Sequence, residues 1–233
     1  MVQARTAKPA TRRLPRDQRV ATILQAARGV LRARGSEQFT TAEVAEHCGT
    51  SEGTIYKYFP TRRDLLLQVA ESWFEEFLAE DYPARKDGPI GERLYHVIWW
   101  ALSIIRREPA LTRLVLMELR ADPGYRDMGI YQQNRQVVDR VMQVVMEGQE
   151  SGAFRAEVNR KLVRDLIFGA IEHQTWAYLR GQGDFSVDSA AAGITEIVMR
   201  GLQVGAPGAD PVATLLTRFE RVADRLEARL DRE

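Results

Sequence analysis

The side chains with the clearest chemical meaning in this chain lie in one short segment, TSEGTIYKYFPTR, at residues 50–62. Hydroxyl, phenol and ammonium groups follow one another there at intervals that place several of them on the outer side of one helix. Such groups donate hydrogen bonds to phosphate oxygens and base edges, and a helix is narrow enough to enter the major groove of duplex DNA. The segment therefore predicts a surface that binds double-stranded DNA.

Start and stop signals around this segment predict two helices joined by a tight turn. Thr40 followed by Glu43 predicts a capping box that begins the first helix. Gly49 is suited to end it, because glycine enters the left-handed backbone region without a steric penalty. Ser51 then caps a second helix, which ends before Pro60. The spacing predicts a helix-turn-helix, although two ordinary amphipathic helices of an all-α protein would have a similar shape.

Residues 16–66 resemble the DNA-binding domain of the TetR family of transcriptional regulators. Three positions depart from the family pattern. Glu52 stands where Lys or Arg is frequent, Thr50 where Val is usual, and Arg63 where Glu is frequent. These departures affect which DNA sequence is preferred, but not how the domain docks on DNA. The positions that carry the resemblance are Gly35, Phe39, Thr40, Val44, Ala45, Gly49, Ser51, Gly53, Thr54, Tyr56, Phe59, Pro60, Arg62, Asp64 and Leu65.

The resemblance implies a role for each matching position on DNA. Thr41 and the amides at the start of its helix would hold phosphates. The remaining phosphate contacts implied are Ser51, Tyr56, Tyr58 and Arg62, and Thr40 completes the DNA-binding set. The residues implied to meet base edges are Glu52, Gly53, Thr54 and Lys57, of which Lys57 has the alternative of being a merely solvated lysine.

The same resemblance implies an all-α fold, with an N-terminal three-helix helix-turn-helix domain and a larger C-terminal helical domain for ligand binding and dimerisation. It implies a repressor that binds a palindromic operator as a homodimer and is released by a small apolar effector. The GAFR turn at residues 152–155 and the helix at 166–176 are somewhat similar to members that respond to long-chain acyl-CoA esters. The alternative is a DNA-binding module without an effector, controlled by a protein partner or acting as an activator.

The charge of the chain is divided unevenly along its 233 residues. Residues 1–63 contain 12 Lys and Arg against 5 Asp and Glu, whereas the remainder is mildly acidic. A basic end is typical of phosphate binding. The single cysteine, Cys48, cannot form an internal disulfide, and no signal peptide or membrane-length apolar run is visible. These observations predict a cytoplasmic protein without a membrane partner.

Helical periodicity continues through the chain without sustained alternation of period two. We expect a flexible basic arm at 1–15, the DNA-binding domain at 16–62 and the regulatory domain at 63–233. The arm either contacts DNA or is inert. A final apolar stripe at 212–230 packs on its own domain or on a second subunit. The helices are expected near 16–34, 61–81, 91–107, 109–121, 126–151, 158–181, 187–203 and 211–231.

Small residues on two of these helices predict a dimer interface. Small side chains let helices approach closely, so the two helices and their symmetry mates would form a four-helix bundle. The alternative is close packing within one subunit. The expected interface residues are Gly169, Ala170, Ala177, Ile194, Ile197 and Val198.

Aromatic residues mixed with a few polar groups predict a ligand pocket in the larger domain. Effector pockets are mostly apolar with a few placed polar groups, although each aromatic residue alone is more often ordinary core. The expected pocket residues are Phe77, Trp99, Leu102, Met117, Tyr131, Asn134, Phe168, Glu172, His173 and Trp176.

No pattern in the chain favours an enzyme, a metal site or a cofactor. His47, His96 and His173 have no ligand spacing with Cys48. The sequence contains no glycine-rich phosphate loop, no nucleophile elbow and no HExxH motif. We therefore expect a regulator without catalytic residues and without a resident cofactor.

Overall fold

Nine α-helices make up the part of the chain that the computed structural model describes, which is residues 15–80 and 88–203. In those ranges the only β pairing is an isolated bridge between Phe154 and Gln203. The all-α prediction is confirmed. The helices are α1 (Arg16–Arg34), α2 (Thr41–His47), α3 (Glu52–Tyr58), α4 (Arg62–Ala79), α5 (Ile90–Arg107), α6 (Pro109–Leu114), α7 (Gly129–Glu150), α8 (Arg160–Leu179) and α9 (Val187–Leu202), with a π-helical turn at Val115–Leu119 and a 3-10 turn at Tyr125–Asp127.

The expected arm, apart from Pro15, and the expected last helix lie outside the described residues. No helix in the described ranges is both long enough and apolar enough to cross a membrane.

The turn between α2 and α3 forms around Gly49, whose φ of 60° lies in the left-handed region. Its amide donates to the carbonyl of Glu46, and the amide of Thr50 donates to the carbonyl of Ala45 at 2.9 Å. These bonds satisfy carbonyls at the end of α2. The turn brings Ile55 of α3 into the core beside Ala45, and Ile55 is fully buried.

The cap that begins α2 differs in one respect from the sequence prediction. Thr40 accepts a hydrogen bond from the amide of Glu43 at 3.2 Å, but the Glu43 carboxylate pairs with Arg34 at 3.1 Å. The predicted capping box of α2 is therefore only half formed, because Arg34 is the partner that the carboxylate takes. A complete capping box begins α4, where Thr61 and Asp64 each accept from the other's amide at 3.0 Å.

Helix α4 connects the small N-terminal domain with the larger one. It packs on α1 at one side and on α7 at the other. Trp73 and Phe77 are buried along it, and the Phe77 ring stacks on Trp100 of α5 with centroids 4.4 Å apart. A displacement of α4 would therefore change packing contacts in both domains.

The larger domain is built around α5, which packs between α7 and α9. Most residues between Leu94 and Ile105 are buried there. The GAFR turn closes the end of α7 by placing the buried Phe154 ring directly against Gly148. A Cβ at Gly148 would overlap that ring, so this close approach requires glycine.

Candidate functional site

The outer face of α3 is accessible to another molecule. Ile55 and Phe59 anchor the helix in the core, so the residues between them and before them turn outward. Glu52, Gly53 and Lys57 are exposed, and Tyr56 is 41% exposed. This is the geometry of a recognition helix, which presents the ammonium group of Lys57, the phenol of Tyr56 and the accessible backbone of Gly53.

A hydrogen-bonded cluster ties the start of α3 to α2. The hydroxyl of Thr41 donates to the Glu52 carboxylate and lies 3.0 Å from the phenol oxygen of Tyr56. Thr41 is 5% exposed. The expectation that its side chain holds a phosphate therefore needs correction, because the hydroxyl is buried and already engaged. Glu52 is likewise held against α2 and does not project freely.

Arg62 also differs from its expected role as a phosphate contact. Its guanidinium donates to the carbonyls of Phe39, at 3.1 Å, and of Ser36. It also lies over the Phe39 ring, 5.6 Å from the centroid. Arg62 thus fixes the start of α4 to the loop before α2, because its donors satisfy the carbonyls of that loop.

Three further hydroxyl-bearing residues of the expected set act in local structure. Ser51 caps α3 by accepting from the amide of Thr54 at 3.3 Å, and the two hydroxyl oxygens are 2.9 Å apart. Thr40 caps α2, and Tyr58 is half-buried against the core. Ser51 and Thr40 are exposed despite capping, so both remain accessible to a phosphate.

A cavity of about 120 Å³ lies in the larger domain. It is bounded by residues of α4, α5, α6, the π-helical turn, α7 and α8, and most of the lining is apolar. The hydroxyls of Thr112 and Thr175 are engaged, because they donate to the carbonyls of Glu108 and Ile171. The lining residues are Trp73, Phe74, Ala101, Ile104, Ile105, Thr112, Val115, Leu116, Arg120, Asn134, Val137, Phe168, Ile171, Glu172 and Thr175.

The charged groups of the cavity form one ion pair between Arg120 and Glu172, at 3.0 Å. Their side chains are 34% and 46% exposed, so the pair lies where the cavity meets solvent. Arg120 directly follows the π-helical turn, whose wider hydrogen bond runs from the Arg120 amide to the Val115 carbonyl at 2.9 Å. The π turn therefore determines the side of the helix from which Arg120 reaches α8.

The cavity lining includes Asn134, Phe168 and Glu172 from the ten expected pocket residues and leaves out the other seven. Helix periodicity explains the difference for five of the seven, since a residue one or two positions from a lining residue faces another neighbour, whereas Phe77 and Tyr131 lie three positions from Phe74 and Asn134. Phe77 and Leu102 are packed in the core, and His173 is exposed. Trp99 donates to Asp188 on α9, and Met117 contacts Arg113. Tyr131 packs on Tyr125, and Trp176 lies under Arg180.

The expected dimer residues lie on a face that is partly uncovered. Ile197 on α9 is 75% exposed, and Leu162 and Leu166 on α8, which the sequence reasoning missed, are 55% and 60% exposed. Gly169 is exposed, whereas Ala170, Ala177 and Ile194 are half-buried. The prediction that Val198 lies in the dimer interface needs correction, because its side chain is 9% exposed and packs within its own subunit.

A buried carboxylate joins the N-terminal domain to the larger one. Glu108, between α5 and α6, is 3% exposed and accepts hydrogen bonds from Arg28 and Arg32 of α1. Burial alone would raise the pKa of Glu108, but the hydrogen bonds from Arg32 and Arg28 outweigh it, so that the pKa lies below its ordinary value. Arg28 also pairs with Glu76 of α4 at 2.7 Å. We call these four residues the Glu108 cluster.

No group of three or more His, Cys, Asp or Glu side chains in residues 15–80 and 88–203 is arranged to hold a metal ion. Cys48 is half-buried and its Sγ lies 3.7 Å from the carbonyl oxygen of Thr22; burial raises the pKa of this thiol.

Two segments of the chain match known family models. Residues 23–69 match the family model described as bacterial regulatory proteins, tetR family, and residues 87–202 match the model described as tetracyclin repressor-like, C-terminal domain. The fatty acid metabolism regulator protein of Bacillus subtilis is 21% identical over 185 residues, which are 77% of this chain and 93% of that protein.

Solved structures share the fold at similarly low identity. FadR from Bacillus subtilis in complex with stearoyl-CoA has a TM-score of 0.65 and 21% identity, covering 78% of this chain and 98% of that chain. RolR in complex with resorcinol has a TM-score of 0.56 and 22% identity, covering 85% and 94%. These two proteins bind very different ligands, so the shared fold by itself does not specify an effector.

Proposed function

Because the chain belongs to the TetR family of bacterial regulatory proteins, we propose that it represses transcription as a homodimer on a palindromic operator and is released by a small apolar effector. It is a DNA-binding transcriptional regulator. The observation that carries the proposal is the pairing of an exposed recognition helix with an apolar cavity in the second domain. We place the domain boundary near residue 62, where α4 begins, with residues 1–15 as a basic arm.

We propose that Tyr56, Lys57 and the backbone at Gly53 contact DNA directly, with Ser51 and Thr40 on phosphates. Each of these residues is exposed. Replacing Lys57 in both subunits of a dimer removes two positive charges that neutralise DNA phosphates. The slope of log affinity against log salt concentration should therefore become shallower by about two units. A lysine that reads a base would in addition change sequence preference.

In vitro selection from random duplexes tests this part of the proposal. The expected result is a palindromic consensus, bound with strong salt dependence. Lys57→Ala should weaken binding, whereas Arg135→Ala, which removes an exposed positive charge from α7, should leave it unchanged. Equal loss in both variants, or no bound consensus, would contradict the assignment.

The exposed apolar residues of α8 and α9 support the homodimer. Leu162, Leu166 and Ile197 are more than half exposed, so their apolar surface is available for burial against a second copy. Two copies meeting through these helices would bury them in a four-helix bundle and place two recognition helices on one duplex.

Sedimentation velocity at micromolar concentration tests the dimer. Leu166→Asp should convert the protein to a monomer and abolish operator binding, because a charge would be buried in the interface. Met146→Asp on α7 is the control, since Met146 is also exposed, at 38%. A wild-type protein that sediments only as a 26.5 kDa monomer would exclude the dimer.

The arrangement around α6 suggests how effector binding reaches DNA. Thr112 of α6 lines the cavity, and Glu108 at the start of α6 is bound to α1. An effector that binds one position of α6 better than another would shift the population of orientations of the N-terminal domain. The similarity to the stearoyl-CoA-binding FadR makes acyl-CoA esters the first compounds to test for release of bound DNA.

A further inference from the structure

We propose that the effector is a small organic carboxylate, whose anionic group binds Arg120 in place of Glu172 while its apolar body fills the cavity. This inference rests on the proposed effector function and specifies the ligand class of the same site. It differs from an acyl-CoA ester, in which the corresponding carbonyl is uncharged and is attached to a very large polar group.

The size of the cavity limits the apolar part of the ligand. Its volume is about 120 Å³. An engineered cavity of about 150 Å³ holds one benzene molecule, whereas drug-sized ligands occupy about 300 Å³ or more. The volume therefore fits about one aromatic ring or a short alkyl chain, in contact with Phe74 and Phe168.

Arg120 supplies the positive charge at the cavity. Its guanidinium carries five N–H donors, and one on Nη1 donates to Glu172 at 3.0 Å. The side-chain amide of Asn134 also lines the cavity and carries two further N–H donors. A guanidinium at the open end of an apolar cavity matches the two oxygens of a carboxylate, which an arginine binds through two parallel hydrogen bonds.

Glu172 is the acceptor that an incoming carboxylate must replace. Its pair with Arg120 is a single contact at 3.0 Å between half-exposed side chains, and such pairs contribute little. Glu172 can turn into water when it is displaced, because 46% of its side chain is already exposed. The exchange keeps the Arg120 charge paired throughout.

Calorimetric titration of the full chain with hexanoate, benzoate, 1-hexanol, hexanamide and hexanoyl-CoA tests the proposal. The carboxylates should bind at least ten-fold more tightly than the alcohol or amide of equal size, because the neutral compounds lack the negative charge that pairs with the Arg120 guanidinium. Arg120→Gln should weaken hexanoate about 10- to 100-fold. Glu172→Gln should tighten it about two- to five-fold, since the competing carboxylate is gone.

Arg135→Gln is the matched control and should bind hexanoate like the wild type. The gain expected for Glu172→Gln cannot arise from a folding defect, so it separates the proposal from general damage to the domain. Equal affinity for carboxylates and neutral analogues, or loss of affinity in Glu172→Gln, would overturn the proposal.

Release of selected operator DNA, measured with the same compounds, separates this inference from the proposed function. If hexanoyl-CoA releases DNA and the carboxylates do not bind, the ligand class is wrong and the effector function stands. If the carboxylates bind through Arg120 without releasing DNA, the site assignment stands and the proposed release mechanism fails.

Discussion

The Glu108 cluster provides a quantitative prediction about how the two domains are held together. Glu108→Gln keeps the size of the side chain but removes its charge, so the effect measures the ionic contacts and not a cavity. The carboxylate accepts from Arg28 at 2.6 Å and 3.0 Å and from Arg32 at 2.8 Å and at one shorter contact. Removing one partner of a fully buried ion pair costs about 3–5 kcal/mol.

The expected cost here is smaller, because the arginines keep access to other partners. The side chains of Arg28 and Arg32 are 23% and 55% exposed, and Arg28 retains Glu76. We therefore expect Glu108→Gln to lower the free energy of unfolding by about 2 kcal/mol at pH 7.

Urea denaturation followed by far-UV circular dichroism measures this change. The control is Glu80→Gln, which removes a carboxylate that also pairs with an arginine, Arg107, but lies at the surface. Its expected cost is below about 1 kcal/mol. If Glu108→Gln costs no more than Glu80→Gln, the idea that burial makes the Glu108 cluster stabilising is refuted.

The pH dependence of the same difference has a definite sign. The pKa of Glu108 is lowered in the folded protein, so the charged carboxylate stabilises the fold at every pH above its unfolded pKa of about 4.3. The contribution is lost as the pH falls through the folded pKa. The difference between wild type and Glu108→Gln should therefore be constant from pH 6 to 7 and shrink below about pH 4; a difference that persists unchanged in acid would contradict the assignment.

Three other substitutions test particular contacts. Gly148→Ala should destabilise the protein by about 1–3 kcal/mol in urea denaturation, because its Cβ overlaps the Phe154 ring, whereas Gly29→Ala, in an exposed and open helical position, should be neutral or slightly stabilising. Arg62→Ala should lower stability by about 1–2 kcal/mol while reducing the salt slope of DNA binding less than Lys57→Ala does; an equal reduction would restore Arg62 as a phosphate contact. Glu52→Ala should change the consensus obtained by selection without abolishing binding, and an identical consensus from both proteins would count against a role for Glu52 in base reading.

The helix boundaries could be predicted well because their signals are local. Helix α1 occupies Arg16–Arg34, as its apolar period and Gly35 predict, and α9 ends one residue before the predicted position. Caps at Thr40 and Ser51 are also local, since each needs only an amide three residues away. The prediction of which side chains lie on the outer face of α3 rested on the same local spacing.

Partner choices between distant residues could not be predicted from spacing. Glu43 pairs with Arg34, and Thr41 with Glu52, through contacts that exist only once the helices have packed. The cavity was predicted poorly for a related reason. Periodicity indicated one continuous helix over residues 109–121, whereas the π-helical turn at Val115–Leu119 changes the direction in which the side chains after it point. Arg120 was therefore missed, and no signal in the sequence marks it.

The π-helical turn also determines the direction in which the Arg120 side chain points. A turn closed from residue 115 to residue 120 contains one residue more than an α-helical turn. Deleting that residue would restore the regular helix and rotate the guanidinium of Arg120 by about 100° around the axis, away from α8. Loss of one residue at this point would therefore take the Arg120 charge away from the cavity.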